Sequence, residues 1–191
     1  MEQTYSEPKK KSAMEAVMVS GLVIAVLVYA VCAAVTGDPK WFMGGVSMPN
    51  PEQIVIRVDG IETVLTPNMN GYEIMVKAVK KSLGSFSNSA PIPMGLSDET
   101  IEQYKHRFTV VELHFDKPVD FHLPFNDMDP TALLIPIRGR HAGKGWVFRG
   151  GENGKWHPGP LTMTNPQPIF QALMTLGYIE SAEVVCEGPG C

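Results

Sequence analysis

The densest polar constellation in the chain is Arg138-Gly-Arg140-His141-Ala-Gly-Lys144-Gly, three fixed positive charges and a histidine among glycines that permit close approach of a ligand. Guanidinium forks and backbone N–H groups on such a loop could hold a phosphate, carboxylate or sulfate. Arg138, Arg140, His141 and Lys144 are therefore the candidate anion-binding residues. The stretch is not a P-loop. Three residues instead of four separate Gly139 from Gly143, no Ser or Thr follows Lys144, and Trp146-Val147-Phe148 reads as strand where a helix is required. The competing reading is a solvated hairpin loop whose cations pair with acidic neighbours or lipid headgroups.

Other chemistry is thinner. His106, His114, His122, His141 and His157 include no i, i+4 pair of the HExxH kind and no local zinc spacing. Only His114 and His122 have a route to each other, across a predicted strand pair. Asn126-Asp127-Met128-Asp129 offers oxygen atoms but lacks the following Gly and distal Glu of a calcium loop, so it reads as a capped turn before Pro130. No G-x-S-x-G elbow occurs. No catalytic residue, metal ligand or cofactor is assigned on these grounds. Cys186 and Cys191 are the only thiols outside the apolar N-terminal run, and Glu187-Gly188-Pro189-Gly190 between them can turn tightly, which makes them the candidate disulfide.

The elements that must position these residues begin with Ala16 to Val35, 20 consecutive residues without a charge. At 1.5 Å per residue such a helix crosses a hydrocarbon core of about 30 Å. Lys9, Lys10 and Lys11 precede it, whereas Lys40 is the one basic residue between Thr36 and Asn50. The positive-inside rule then keeps the N-terminus cytoplasmic and the C-terminal part extracytoplasmic. Trp41 and Phe42 suit the outer headgroup layer or the first turn of a folded domain. A cleaved signal peptide is the rival, but the apolar run exceeds the usual h-region and Val31-Cys32-Ala33 is a poor cleavage site. Val31 also argues against lipid modification of Cys32. A lone helix with no ionisable side chain inside it offers no ion pathway, which excludes transport by this chain alone.

Beyond the anchor, Thr36 to Gln53 is rich in Gly and Pro and reads as a linker. Ile54 to Val58 and Ile61 to Thr66 flank Asp59-Gly60, the pair that suits a type I′ hairpin turn. Tyr72, Met75, Val76, Val79 and Leu83 recur at helical spacing before Gly84. Ser85 to Gly95 is a loop by composition. Ser97 caps a short helix with Asp98 and Glu99 in its first turn and Ile101 and Tyr104 toward the core. Val111, Leu113 and Phe115 alternate with Glu112 and His114, a half-buried strand whose expected partner is Val119 to Leu123. That alternation predicts Val111 inside, and Glu112 so exposed that Glu112→Lys is nearly neutral. Leu133 to Ile137 carries Pro136, hence an edge strand or a bulge. Gly150 to Gly154 joins Trp146–Phe148 to Lys155-Trp156 as a hairpin, and Asn165-Pro166 opens a helix that Gly177 ends.

The elements do not alternate as βαβ units, so an α+β fold is expected: one N-terminal transmembrane helix, then a mostly antiparallel sheet packed by two or three helices. The expected organisation is a cytoplasmic tail over residues 1–12, a transmembrane helix over 13–35, a linker over 36–53, an extracytoplasmic domain over 54–180 and a tail over 181–191. The order of anchor, Asp-Gly hairpin, helix, LSDETIEQY, strand pair, LLIPI and WVF resembles uncharacterised membrane-anchored bacterial proteins, with no named family, and implies no catalytic residue. The net charge of −4 lies entirely beyond residue 35, because Glu2, Glu7 and Glu15 balance Lys9 to Lys11. An acidic domain lacks the basic surface from which nucleic-acid binders draw affinity, so nucleic acid is excluded as a partner. The partners expected are the lipid bilayer, a membrane protein and an anionic ligand. The expected function is a single-pass binding, sensing or scaffold protein at the outer membrane face, with an accessory subunit of a membrane complex among the forms it could take. The rival is a cell-envelope enzyme whose cationic loop and His157 base meet in one concave pocket.

Overall fold

The computed structural model describes residues 13–43, 45–87, 93–123, 128–151, 154–182 and 186. Chain order runs α1 (Ala13–Thr36), β1 (Gln53–Val58), β2 (Ile61–Leu65), α2 (Tyr72–Ser82), α3 (Asp98–His106), β3 (Thr109–His114), β4 (Ala132–Arg138), β5 (Trp146–Gly150), β6 (Leu161–Thr162) and α4 (Gln167–Thr175). The six strands form one open sheet in the order β2-β1-β3-β4-β5-β6, every neighbour antiparallel. The α+β expectation holds.

Local chemistry explains the elements. Asp59 and Gly60 both adopt positive φ, 49° and 85°, which the right-handed twist of β1 and β2 demands of a two-residue hairpin turn. Ser97 Oγ accepts the Thr100 N–H at 3.2 Å and starts α3. Asn165 Oδ1 accepts the Gln167 N–H at 3.1 Å and starts α4, and Gly177 at φ 78° follows its end.

Strand alternation divides the core between two faces. Ile54, Ile56, Val111, Leu113, Leu133, Ile135 and Val147 point to the face that α2 and α4 cover, meeting Met75, Val79, Ile169 and Leu173 there. Val110, Leu134, Trp146 and Phe148 point to the opposite face, where Tyr104 of α3 packs with Phe108.

Two strand expectations are corrected. Residues 119–123 do not pair with β3, which instead lies between β1 and β4. The segment from Val119 runs as a loop, tied by reciprocal backbone hydrogen bonds between Ser47 and Asp120 at 2.7 and 3.1 Å. The apolar run in β4 supplies a better partner for the two-sided burial of β3. Nor is β4 an edge strand despite Pro136. Its ladder with β5 covers only Ala132 to Leu134, so Pro136 lies beyond those bonds, and the register with β3 shifts between Thr109 and Val110 beside it. The bulge half of the expectation holds and the edge half fails. The hairpin after β5 is reduced to a bridge between Gly150 and Trp156, and β5 continues its sheet through β6, which was too short to announce itself.

α1 is the one described helix long and apolar enough to cross a membrane, and no residue of its most apolar stretch is buried in the fold. The chain beyond it turns back: Tyr29 donates its hydroxyl to the Pro39 carbonyl at 3.0 Å, and the Phe42 ring meets Tyr29 edge-on at 6.1 Å.

Candidate functional site

The cationic loop is built differently from an open anion cradle. His141, at φ 65°, turns inward and is 4% exposed. Its Nδ1 meets the Tyr104 hydroxyl at 2.8 Å, and its ring sits 5.5 Å from both Trp146 and Phe148. Gly139 is equally constrained, since a Cβ there would overlap the Phe108 ring and its φ is 89°. Lys144 is exposed, while Arg138 and Arg140 are partly buried. His141 is therefore removed from the anion set, and its neighbours form a rim around a plug of the second core. Sequence spacing could not show this, because a His between Arg140 and Ala142 reads as polar until the facing Tyr104 is known.

Burial pushes the His141 imidazole down to about 4, and the Arg140 charge adds to the effect. In the unfolded chain it returns to its ordinary value near 6.5. Between these values the unfolded chain binds more protons than the folded one, so stability falls as pH drops through that window, by about 3 kcal/mol in all. Replacing His141 with Phe should flatten the dependence of urea-unfolding stability on pH between about 6.5 and 4. An unaltered slope would contradict the burial.

A cleft lies at the other end of the sheet, on the part of its face that α3 leaves uncovered. Gln53, His114, Ala132 and Gly150 sit side by side across β1, β3, β4 and β5. Ala132 and Gly150 are small, and so the row is low in the middle. The Trp156 indole rises over Gly150, where a Cβ would come within 2.9 Å of the ring. The resulting cleft has a volume of about 380 Å³, with Glu52, Thr131, Gly151 and Gly154 completing its walls. That size falls in the range of small-molecule sites.

Charge beside the cleft is organised by ion pairs further along β1, β2 and β3. Arg57 pairs with Glu62 at 2.8 Å and Glu112 at 2.5 Å, and Glu112 lies 3.4 Å from His114 Nε2. Burial raises the Glu112 pKa, but His114 and Arg57 outweigh it and leave the carboxyl below its usual range. An ionised Glu112 thus holds the Nε2 side of the His114 ring at the cleft wall. Sequence reasoning noted His114 alone and missed Glu52, Thr131 and Trp156, since a cleft made by two small residues in register carries no linear signal.

A second polar cluster sits where the chain leaves α1. His122 Nδ1 faces Asp38 Oδ2 at 2.9 Å and Asp120 Oδ1 at 3.0 Å. Asp38 Oδ1 accepts the Lys40 N–H at 2.7 Å. Burial raises the Asp38 pKa, but the Lys40 amide and His122 outweigh it and hold the carboxyl below its usual value. His122 therefore does not meet His114: residues 120–122 turn toward the anchor instead of pairing with β3.

His157 gives its backbone N–H to Arg149 at 2.7 Å and its ring lies beside Gly151. The length of β5, roughly 13 Å, separates it from the cationic loop. The pocket that was to unite His157 with Arg138, Arg140, His141 and Lys144 is not formed by the described residues. Met128 and Asp129 occupy positive φ, and Asn126 and Asp127 of the expected turn lie outside the described residues. Cys32 is a free thiol and Cys186 is disulfide-bonded, while Cys191 lies outside the described residues. Comparisons with protein-family models, curated proteins and solved structures gave no match.

Proposed function

We propose that this chain is a single-pass membrane protein that displays an α+β domain outside the cytoplasm and binds a partner or small polar ligand through the Glu52/His114/Trp156 cleft. The observation that carries the reading is the pairing of an unburied apolar helix of 24 residues with a folded domain in which one cleft is lined by an imidazole paired to a carboxylate. A helix with that much apolar surface needs lipid or another apolar surface around it. Lys9 to Lys11 favour the cytoplasmic side for the N-terminus. The cleft supplies two aromatic residues, Phe115 and Trp156, one carboxylate at Glu52 and one imidazole, a set suited to recognition of a polar molecule rather than of a purely apolar one.

The envelope-enzyme reading has lost its original constellation. A carboxylate-paired His114 would suit a general base, but among the described residues Thr131 is the sole hydroxyl side chain lining the cleft, and no hydrogen bond links it to His114. Binding is therefore preferred to turnover.

Ala132→Leu tests the reading by filling the cleft floor without adding charge. Full-length wild-type and variant chains would be solubilised from native membranes in detergent, and retained small molecules and proteins identified by mass spectrometry. A species enriched on the wild type and lost from the plugged variant is expected. Equal retention by both, with equal folding by circular dichroism, would remove the cleft from the function.

A further inference from the structure

We propose that Asp38, Asp120 and His122 form a divalent-cation site of zinc type that clasps the segment after α1 to the folded domain. The proposal does not depend on the cleft or on its ligand. Three potential ligand atoms, two carboxylate oxygens and one imidazole nitrogen, lie within 4.8 Å of one another. They come from separate parts of the chain: Asp38 stands two residues beyond α1, whereas Asp120 and His122 belong to the loop between β3 and β4.

Two carboxylates crowd one imidazole nitrogen, although Asp120 Oδ1 also accepts the His122 backbone N–H at 3.0 Å and Asp38 Oδ1 the Lys40 N–H at 2.7 Å. Neutral imidazole carries at most one proton on Nδ1, yet that nitrogen faces two carboxylates at 2.9 and 3.0 Å. One N–H cannot saturate both, and the two anions repel each other across it. A divalent cation replacing that proton would be shared by all three groups. Metal–ligand bonds of about 2.0–2.2 Å in tetrahedral geometry would place ligand atoms roughly 3.3–3.6 Å apart, and the two imidazole–carboxylate separations of 2.9 and 3.0 Å need to open by only a few tenths of an ångström to reach it.

The donor set selects the ion. Calcium and magnesium favour oxygen cages, calcium with six to eight oxygens and magnesium with several retained waters, and neither favours imidazole. One imidazole with two carboxylates suits zinc, leaving a fourth position for water. Asp38 and His122 are largely shielded, at 15% and 12% side-chain exposure, while Asp120 at 48% leaves the site open to an entering ion. Bound there, the ion would fix the exit of α1 beside the sheet. The Ser47–Asp120 backbone pairing already holds the same junction, so the clasp would reinforce a contact that exists.

The test uses the full-length chain in detergent micelles, stripped with a chelator and titrated with Zn²⁺ by calorimetry. Wild type should take up one equivalent with micromolar or tighter affinity. His122→Ala and, separately, the isosteric Asp120→Asn should each weaken uptake at least about tenfold, while His157→Ala leaves it unchanged. Zn²⁺ should also slow proteolysis between Thr36 and Ser47 in wild type but not in His122→Ala. No stoichiometric uptake by wild type would overturn the site. So would undiminished uptake by both His122→Ala and Asp120→Asn variants that retain wild-type circular dichroism.

Discussion

Val111→Asp is expected to unfold the domain. Val111 is fully buried at the middle of β3, flanked across the sheet by Ile56 and Ile135, and faces the core that α2 and α4 close. An uncompensated carboxylate there costs several kcal/mol or forces its own protonation. A domain of this size is stable by about 5–15 kcal/mol, so the loss approaches the whole. Its neighbour on the other face behaves unlike the expectation from alternation alone. Glu112 is on the opposite face, but that face is not solvent: its side chain is 13% exposed and joined to Arg57 and His114. Glu112→Lys sets an ammonium beside a guanidinium and leaves Arg57 without its more buried partner, for an expected loss of about 2–3 kcal/mol. Urea denaturation of both variants checks the pair. A neutral Glu112→Lys would contradict the ion-pair row, and equal effects of the two would contradict the register of β3.

The same residues show what the sequence made legible. Elements governed by local chemistry were readable: the Asp59-Gly60 turn needs two positive φ angles, Ser97 needs the orphan amides of a helix start, and the stripe from Tyr72 to Leu83 needs a single apolar face. Pairing was less readable. β3 is buried on both faces over most of its length, and its true partner β4 was disguised by Pro136, whose missing N–H matters only where a ladder requires it. The choice of residues 119–123 followed proximity in the chain, whereas burial favoured the more apolar run further on.

For the site, the sequence singled out charge density at Arg138 to Lys144 and could not see that Tyr104 waits for His141. The cleft depends on Ala132 and Gly150 standing in register beneath Trp156. The junction cluster depends on Asp38 and His122, 84 positions apart, which share no spacing rule. Both are products of topology, which linear motifs record only by accident.

The second large effect concerns insertion. Replacing Lys9, Lys10 and Lys11 together by Glu should scramble the orientation of α1, because those three residues hold nearly all the Lys/Arg asymmetry across it. The expected product is a mixed population, with the acidic domain outside in some molecules and inside in others. Retention of a single orientation in that variant would mean that something other than flanking charge directs insertion.

Wild type gives the most direct test of the whole reading. A protease added outside intact cells that express the chain, tagged ahead of Lys9, should digest residues beyond Thr36 while the tag remains protected. A domain that survives in intact cells and is digested only after lysis would contradict an outward-facing binding domain on a membrane anchor.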